Sequence, residues 1–322
     1  MRRLKAAAPL AALLTVFAVI SACASGGPRD LSPMVSVEPP MPANVTINPE
    51  IETTSSSGDD CGDPTVSLRP QGLDIPPGST MDKIRKRRKL VVGVDQNTFL
   101  FGFRNPATGQ LEGFDIDIAK AIAEKLLGHP AAAKFRAITS DQRIEALKSG
   151  KVDIVVRTMT INCERRKDIE FSSVYYVAGQ RVLVKKASEY KGLEDLGGKR
   201  VCATSGSTSL RNIAASPAKP IPVAVDNWSD CLVMMQQGQV EAISTDDTIL
   251  AGMAQQDPTL HVVGDRFTEE PYGIGIPKEN KDMVRYVNAV LEEIRNGLWQ
   301  QSYNKWLKPA LGSNSPPRPK YR

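Results

Sequence analysis

Apolar positions alternate between two rhythms from about residue 80 to residue 310 of this 322-residue chain. The unbroken apolar runs Leu90–Val94 and Val152–Val156 read as buried strands. Between them Phe114, Ile118, Ile122 and Leu126 recur at helical spacing within residues 113–127, and Gly128 supplies the stop. Ser140 is placed to cap a helix over 141–149, ended by Gly150. The alternation then restarts. Segments 181–185, 199–203, 241–244 and 261–263 are strand-like, and Ser229 can cap a helix running through Gln237. From Lys281 to Leu307 the pattern is helical, with Val284, Val287, Leu291, Ile294 and Leu298 on one face. Strands alternating with helices predict βαβ units and a mainly parallel sheet, the α/β class.

The flanks have a different character. Arg2, Arg3 and Lys5 precede the apolar stretch 10–20, which has the length of a signal-peptide core and is too short for a comfortable membrane span. Ile20-Ser21-Ala22-Cys23 follows at once and resembles the bacterial lipobox, in which the cysteine is lipidated and becomes the new N-terminus. The alternative is an ordinary cleaved signal followed by a chance cysteine. The expectation is a signal over 1–22, a lipid on Cys23, and a protein held on the extracytoplasmic face of the cell membrane. Residues 23–79 are rich in Pro, Ser and Gly and read as a tether with an end-to-end distance of about 40 Å if fully flexible. The basic run 83–89 reads as a solvated helix face, with a lipid-headgroup patch as the competing reading. The Pro-rich tail 311–322 reads as frayed.

Charge and cysteine content narrow the function classes. Three of the formal +5 charges belong to Arg2, Arg3 and Lys5, which leaves +2. So small a balance does not suggest a nucleic-acid partner. Four cysteines remain beyond Cys23, namely Cys61, Cys163, Cys202 and Cys231, and an even set outside the cytoplasm favours disulfides. Sequence alone leaves three pairings open. No CxxC motif or His cluster accompanies them, so neither a metal nor another cofactor is expected.

Four blocks, taken in order, resemble a known family. They are Leu90-Val-Val-Gly-Val-Asp95 followed by Phe101; Gly113-Phe-Asp-Ile-Asp-Ile-Ala119; Arg143 through Asp153 with Thr158 to Arg165; and Phe171-Ser172 with Tyr175-Tyr176. Residues from about 90 to 307 are similar to bacterial extracellular solute-binding proteins of family 3, the polar amino-acid class, and most like actinobacterial glutamine- or glutamate-binding lipoproteins. The resemblance implies a two-lobed, type II periplasmic-binding-protein-like α/β fold. Lobe 1 would hold 80–180 and 270–310, lobe 2 would hold 185–268, and two strand-like hinges would join them. Both Cys202 and Cys231 then fall in one lobe, which favours that bridge and leaves Cys61 with Cys163.

The resemblance also carries a site, position by position. Arg165 stands where the family's carboxylate-binding arginine sits, and a guanidinium grips a carboxylate bidentately. Thr158 and Thr160 match positions that offer hydroxyl and backbone groups to the ligand. In the second lobe Thr204 enters a small turn and Thr208 matches a residue whose amide meets the α-carboxylate. Asp246 matches the acidic partner of the α-ammonium. Arg143 resembles the arginine with which aspartate/glutamate-binding members meet a side-chain carboxylate; the plainer reading is an exposed arginine, or one paired to Asp141 or Glu145. Ser140 and Phe101 complete the ligand-facing set. Thr98 and Ser140 stand where glutamine or basic-ligand binders often carry aromatic rings, which favours a short acidic or amide side chain. Cys163 interrupts a stretch where the family usually has no cysteine, and Asp95 stands where some acidic-ligand binders place a second arginine.

The implied function is capture of aspartate, glutamate or their amides for delivery to a membrane permease of the ABC importer type. The alternative is a sensor subunit that docks on a membrane receptor. The expected partners are therefore an amino acid, a membrane protein, and the membrane itself through the lipid, with the protein a monomer. The two histidines, His129 and His261, lie outside every block and no Ser-His-Asp set appears, so an enzyme is not expected.

Overall fold

The strand Leu90–Val94 is the hub of the first lobe. Ala133–Ala137 lies parallel on one side of it and Ile154–Val155 parallel on the other. Gly275–Pro277 and Ile169–Phe171 then continue the sheet in antiparallel fashion. This computed structural model describes residues 39–51 and 61–322. Residues 41–322 form one compact unit. The expected signal segment, Cys23 and part of the tether lie outside the described residues.

Helix Phe114–Leu127 buries Phe114, Ile118, Ile122 and Leu126, the face anticipated from the sequence spacing, and ends on Gly128 with φ 75°. It packs into one apolar core with Leu90, Val92, Val287, Leu291 and Trp299. The C-terminal pattern makes two helices rather than one. Lys281–Arg295 stops at Asn296, and Leu298–Trp306 restarts after Gly297. Glycine costs about 1 kcal/mol in a helix interior, and periodicity alone does not register that break.

The second lobe is built on the order Thr46–Ile47, Ile221–Val225, Arg200–Thr204, Ala242–Asp246, Gln180–Lys185, Leu260–Val263. The three strands 200–204, 221–225 and 242–246 are mutually parallel. Helices Thr208–Ala214, Trp228–Gln236 and Asp247–Gln256 pack a separate apolar core against them, with Val201, Leu210, Leu232, Ile243 and Leu250 at its centre. Strands Tyr176–Ala178 and Glu270–Tyr272 pair antiparallel between the two sheets, where the chain leaves and re-enters the first lobe.

Two segments with loose composition are held against the body. Thr46–Ile47 pairs with Val223 and Ala224 at the sheet edge, which shields an exposed strand edge. The Ser67 carbonyl accepts from the Arg322 amide and the Ser67 amide donates to the Lys320 carbonyl, so the stretch after Cys61 and the tail secure one another. Asn288 donates to Ser67 Oγ and to the Leu68 carbonyl from a fully buried position. Backbone pairing of this kind depends on the partner strand and leaves no apolar periodicity to read. The disulfides join Cys61 to Cys163 and Cys202 to Cys231. No helix among the described residues is long and apolar enough to cross a membrane.

Candidate functional site

The three parallel strands of the second lobe end at the same place. Ser207, Thr208 and Ser209 follow 200–204, Trp228 follows 221–225, and Thr245 and Asp246 close 242–246. All six line one small cavity, with Ile249 and with Ser140, Arg143, Thr158, Thr160 and Arg165 of the first lobe. Ser140 and Thr158 likewise follow the C-terminal ends of parallel strands. Ligands of open α/β sheets bind at such ends, where strand-to-helix turns leave backbone groups pointing outward.

Arg165 lies in the short helix Cys163–Asp168, whose N-cap Asn162 accepts from the Arg165 amide at 2.9 Å. Its Nη1 donates to the Thr160 carbonyl at 2.7 Å and its Nη2 to the Gly206 carbonyl of the other lobe at 3.1 Å. The side chain is buried, and among the described residues no carboxylate forms an ion pair with it. Burial, then the nearby Arg211, lowers its pKa to about 10. A guanidinium with this solvation and these N–H groups left over favours an incoming carboxylate.

Asp246 supplies the opposite charge. Its Oδ2 accepts from the Tyr272 hydroxyl at 2.5 Å, and its Oδ1 is buried with no hydrogen-bond partner among the described residues. Burial first, and Glu270 second, push its pKa well above the usual carboxylate range. An ammonium placed at Oδ1 would reverse that penalty. The adjacent Asp247 is committed elsewhere, paired to Arg266 at 2.5 Å.

Arg143 is buried and pairs with neither Asp141 nor Glu145. It donates to four backbone carbonyls: Ser140 at 2.8 Å, Arg157 at 3.3 Å, Thr158 at 3.5 Å and Gly206 at 3.2 Å. Burial, then Arg165 and Arg157, pull its pKa well below the ordinary value. Most of its N–H groups are therefore occupied, and its cationic field reaches the cavity more freely than a bidentate grip does.

The threonines and Ser140 divide unevenly. Thr160 and Thr208 both donate their hydroxyls to Glu270 Oε2, at 2.6 and 2.9 Å, so this buried hinge carboxylate ties the two lobes together. Thr158 has φ 37°, a left-handed conformation rare for threonine. Its amide donates to Asp115 at 2.9 Å, and the Tyr175 hydroxyl donates to the other Asp115 oxygen at 2.8 Å. Ser140 does not cap its helix. The helix spans Gln142–Lys148 with Asp141 at its start, and Ser140 Oγ instead accepts from Arg157 at 2.6 Å and from Thr204 at 3.1 Å. Arg157 is fully buried and ion-paired to Asp95 at 2.7 Å.

Seven of the nine sequence-nominated positions thus meet at one cavity. Thr204 lies beneath it and reaches it through Ser140. Phe101 departs from expectation. It is buried in the first-lobe core, its ring 5.8 Å from Tyr176 and 6.0 Å from Tyr272, so it supports the tyrosine that holds Asp246. Trp228 lines the cavity, and Glu270 and Arg157 bond residues of its wall; the sequence nominates none of the three. Trp228 opens the helix for which Ser229 is the expected cap; Asn227 precedes it instead, its amide donating to Asp230 at 3.0 Å. Position just past a parallel strand is the signal that could have found Trp228; Glu270 and Arg157 offer none. Among the described residues no cluster of His, Cys, Asp and Glu could hold a metal.

Known proteins resemble this chain in sequence and in fold. Over 231 residues the chain is 42% identical to the ABC transporter glutamine-binding protein of Bacillus subtilis (strain 168), covering 71% of this chain and 85% of that one. It is 32% identical over 239 residues to the glutamate-binding protein of Corynebacterium efficiens, covering 70% and 80%. Among solved structures, an ancestral arginine-binding protein bound to glutamine superimposes with a TM-score of 0.64 at 39% identity, covering 70% of this chain and 99% of that one. Holo ArgBP from T. maritima gives 0.63 at 31% identity, covering 70% and 98%. The fold is the two-lobed type II arrangement of periplasmic binding proteins, and these relatives are binding proteins, not enzymes. Residues 90–309 match the family model of the bacterial extracellular solute-binding proteins, family 3, and the chain belongs to that family.

Proposed function

We propose that this protein binds a polar amino acid of the glutamine–glutamate–aspartate type and hands it to an ABC importer. The observation that carries the reading is the pairing of two buried groups across the cleft. Among the described residues, Arg165 is a guanidinium without a carboxylate partner, and Asp246 Oδ1 has no hydrogen-bond partner. A free amino acid presents a carboxylate and an ammonium at fixed spacing, and burying either unpaired costs on the order of 3–5 kcal/mol. This cavity offers each of them its complement.

The side-chain preference follows from what else lines the cavity. Ser140 presents a hydroxyl proton, and Arg143, its N–H groups mostly committed to backbone carbonyls, adds positive charge. That combination favours an acidic or amide group over a basic one. The relatives' names, glutamine-binding and glutamate-binding, support the same class. The lipobox-like Ile20–Cys23 supports attachment by lipid on the extracytoplasmic face, and the two disulfides fit an oxidising compartment. We take the working form to be a monomer.

A thermal-shift screen of the twenty amino acids tests the proposal, using protein unfolded, washed and refolded to strip carried-over ligand. Glutamine, glutamate, aspartate or asparagine should raise the melting temperature, while arginine, lysine and leucine should not. A largest shift from a basic or apolar amino acid would overturn the side-chain assignment. No shift from any of the twenty would overturn the function.

A further inference from the structure

The cavity wall contains a second buried polar atom without a partner, and it is a donor. Trp228 is 3% exposed and lines the cavity, and its Nε1 makes no hydrogen bond among the described residues. An indole N–H can only donate. Buried indole nitrogens usually find an acceptor, and leaving one unmet carries the full desolvation penalty of the group. The other two tryptophans follow that rule: Trp299 donates to the Tyr175 carbonyl and Trp306 to Asp117, each at 2.7 Å.

We propose that Trp228 is a specificity-determining residue whose indole N–H receives the side-chain oxygen of the bound amino acid. The inference rests on the amino-acid-binding reading above and goes further, because it names what reads the side chain. The main-chain ends of the ligand already have their partners in Arg165 and Asp246. Most remaining polar groups of the wall are spent on one another. Thr160 and Thr208 are used on Glu270, Ser209 and Thr245 bond each other at 2.9 Å, and Ser207 donates to the Thr204 carbonyl at 2.7 Å. Ser140 accepts from both Arg157 and Thr204, which leaves its own hydroxyl proton free to donate. The groups left facing the ligand's side chain are therefore donors: Trp228, Ser140 and Arg143. Such a wall suits a group that accepts hydrogen bonds, a carboxylate or an amide oxygen, and repels an ammonium or guanidinium.

The indole is held in place independently of any ligand. It stands one helical turn before Cys231, whose disulfide ties the helix to strand Arg200–Thr204. The preceding Asn227 is fixed within the same lobe, its backbone and side-chain N–H groups both donating to Asp230 at 3.0 Å. A donor fixed in this way loses little entropy on binding, which is what discrimination between similar side chains requires.

The test compares L-glutamine with L-norvaline, which has the same chain length but no amide, on wild type and on Trp228→Phe by isothermal titration. Phenylalanine keeps an aromatic ring and removes the N–H. The preference for glutamine over norvaline should narrow about tenfold, equivalent to roughly 1.4 kcal/mol. Equal affinity losses for both ligands would place the indole at the main-chain end and overturn the proposal, as would no change in either. A second readout stands apart from the variant's folding. In ¹⁵N-labelled wild type the indole N–H resonance missing from Trp228→Phe should move downfield when glutamine is added; a resonance that stays put overturns the proposal. If wild type binds no amino acid at all, the function proposed above fails with it. If wild type binds glutamine and the indole does not respond, only the role of Trp228 fails.

Discussion

Arg143 and Arg165, both of the first lobe, meet at a single acceptor: the Gly206 carbonyl of the second lobe, 3.2 Å from one and 3.1 Å from the other. Two cations converging on one neutral oxygen repel each other. An anion placed beside them relieves that repulsion, so ligand charge and lobe closure are coupled at this point. The same carbonyl is a latch that forms only when the lobes have come together.

Gly206 itself is required for that closure. Its φ is 69°, and a Cβ there would lie 2.7 Å from the Asp141 Cα across the cleft. Backbone cannot swing aside as a flexible side chain can. Gly206→Ala should therefore weaken glutamine binding about tenfold or more while leaving each lobe folded. Small-angle scattering checks it: glutamine should lower the radius of gyration of wild type, and that fall should be lost in the variant. A variant that compacts normally would contradict the latch.

Asp246→Asn keeps the shape of the site and removes its negative charge. Truncating one member of a buried charge pair typically costs about 2–5 kcal/mol. Affinity for glutamine should drop by about two to three orders of magnitude in calorimetric titration. A loss below about tenfold would move the ammonium to some other group.

Asp115 gives the protein a defined pH response. Burial raises its pKa to about 7, partly offset by the bonds from Tyr175 and Thr158. The folded protein therefore binds more protons here than the unfolded chain does between about pH 4 and 7. Where the native state holds more protons, stability falls as pH rises. In urea unfolding of the ligand-free protein, wild type should lose stability relative to Asp115→Asn as the pH is raised across that window. The opposite slope, or parallel curves, would show that Asp115 titrates normally.

The Cys202–Cys231 bridge fastens the helix that carries Trp228 to the central parallel strand. Its sequence separation is 29. Closing a loop of that size contributes about 2–4 kcal/mol through the unfolded chain. The double change Cys202→Ala, Cys231→Ala should lower the urea midpoint accordingly, and an unchanged midpoint would deny the bridge a stabilising role.

The sequence carried the fold where apolar spacing was regular. Phe114 to Leu126 and the strand 90–94 are legible to within a residue or two, because burial imposes period on them. The resemblance nominated Arg165 and Asp246, and both line the cavity. The sequence did not carry Glu270 or Arg157, which occupy hinge and strand-end positions with no pattern of their own and matter through partners far away in the chain. Thr46–Ile47 escapes for a related reason, since an edge strand is held by backbone bonds that any side chains permit. Ser140 reads as a cap because a serine before a helix has two possible partners, and Arg157 takes it instead.

The most direct measurement is a calorimetric titration of L-glutamine into stripped wild type and into Arg165→Ala, both first shown by circular dichroism to be folded. One saturating site per wild-type chain and no measurable heat with the variant are expected. Equal binding by the two proteins would contradict the role given to the buried guanidinium, and with it the pairing of Arg165 and Asp246 around one zwitterion.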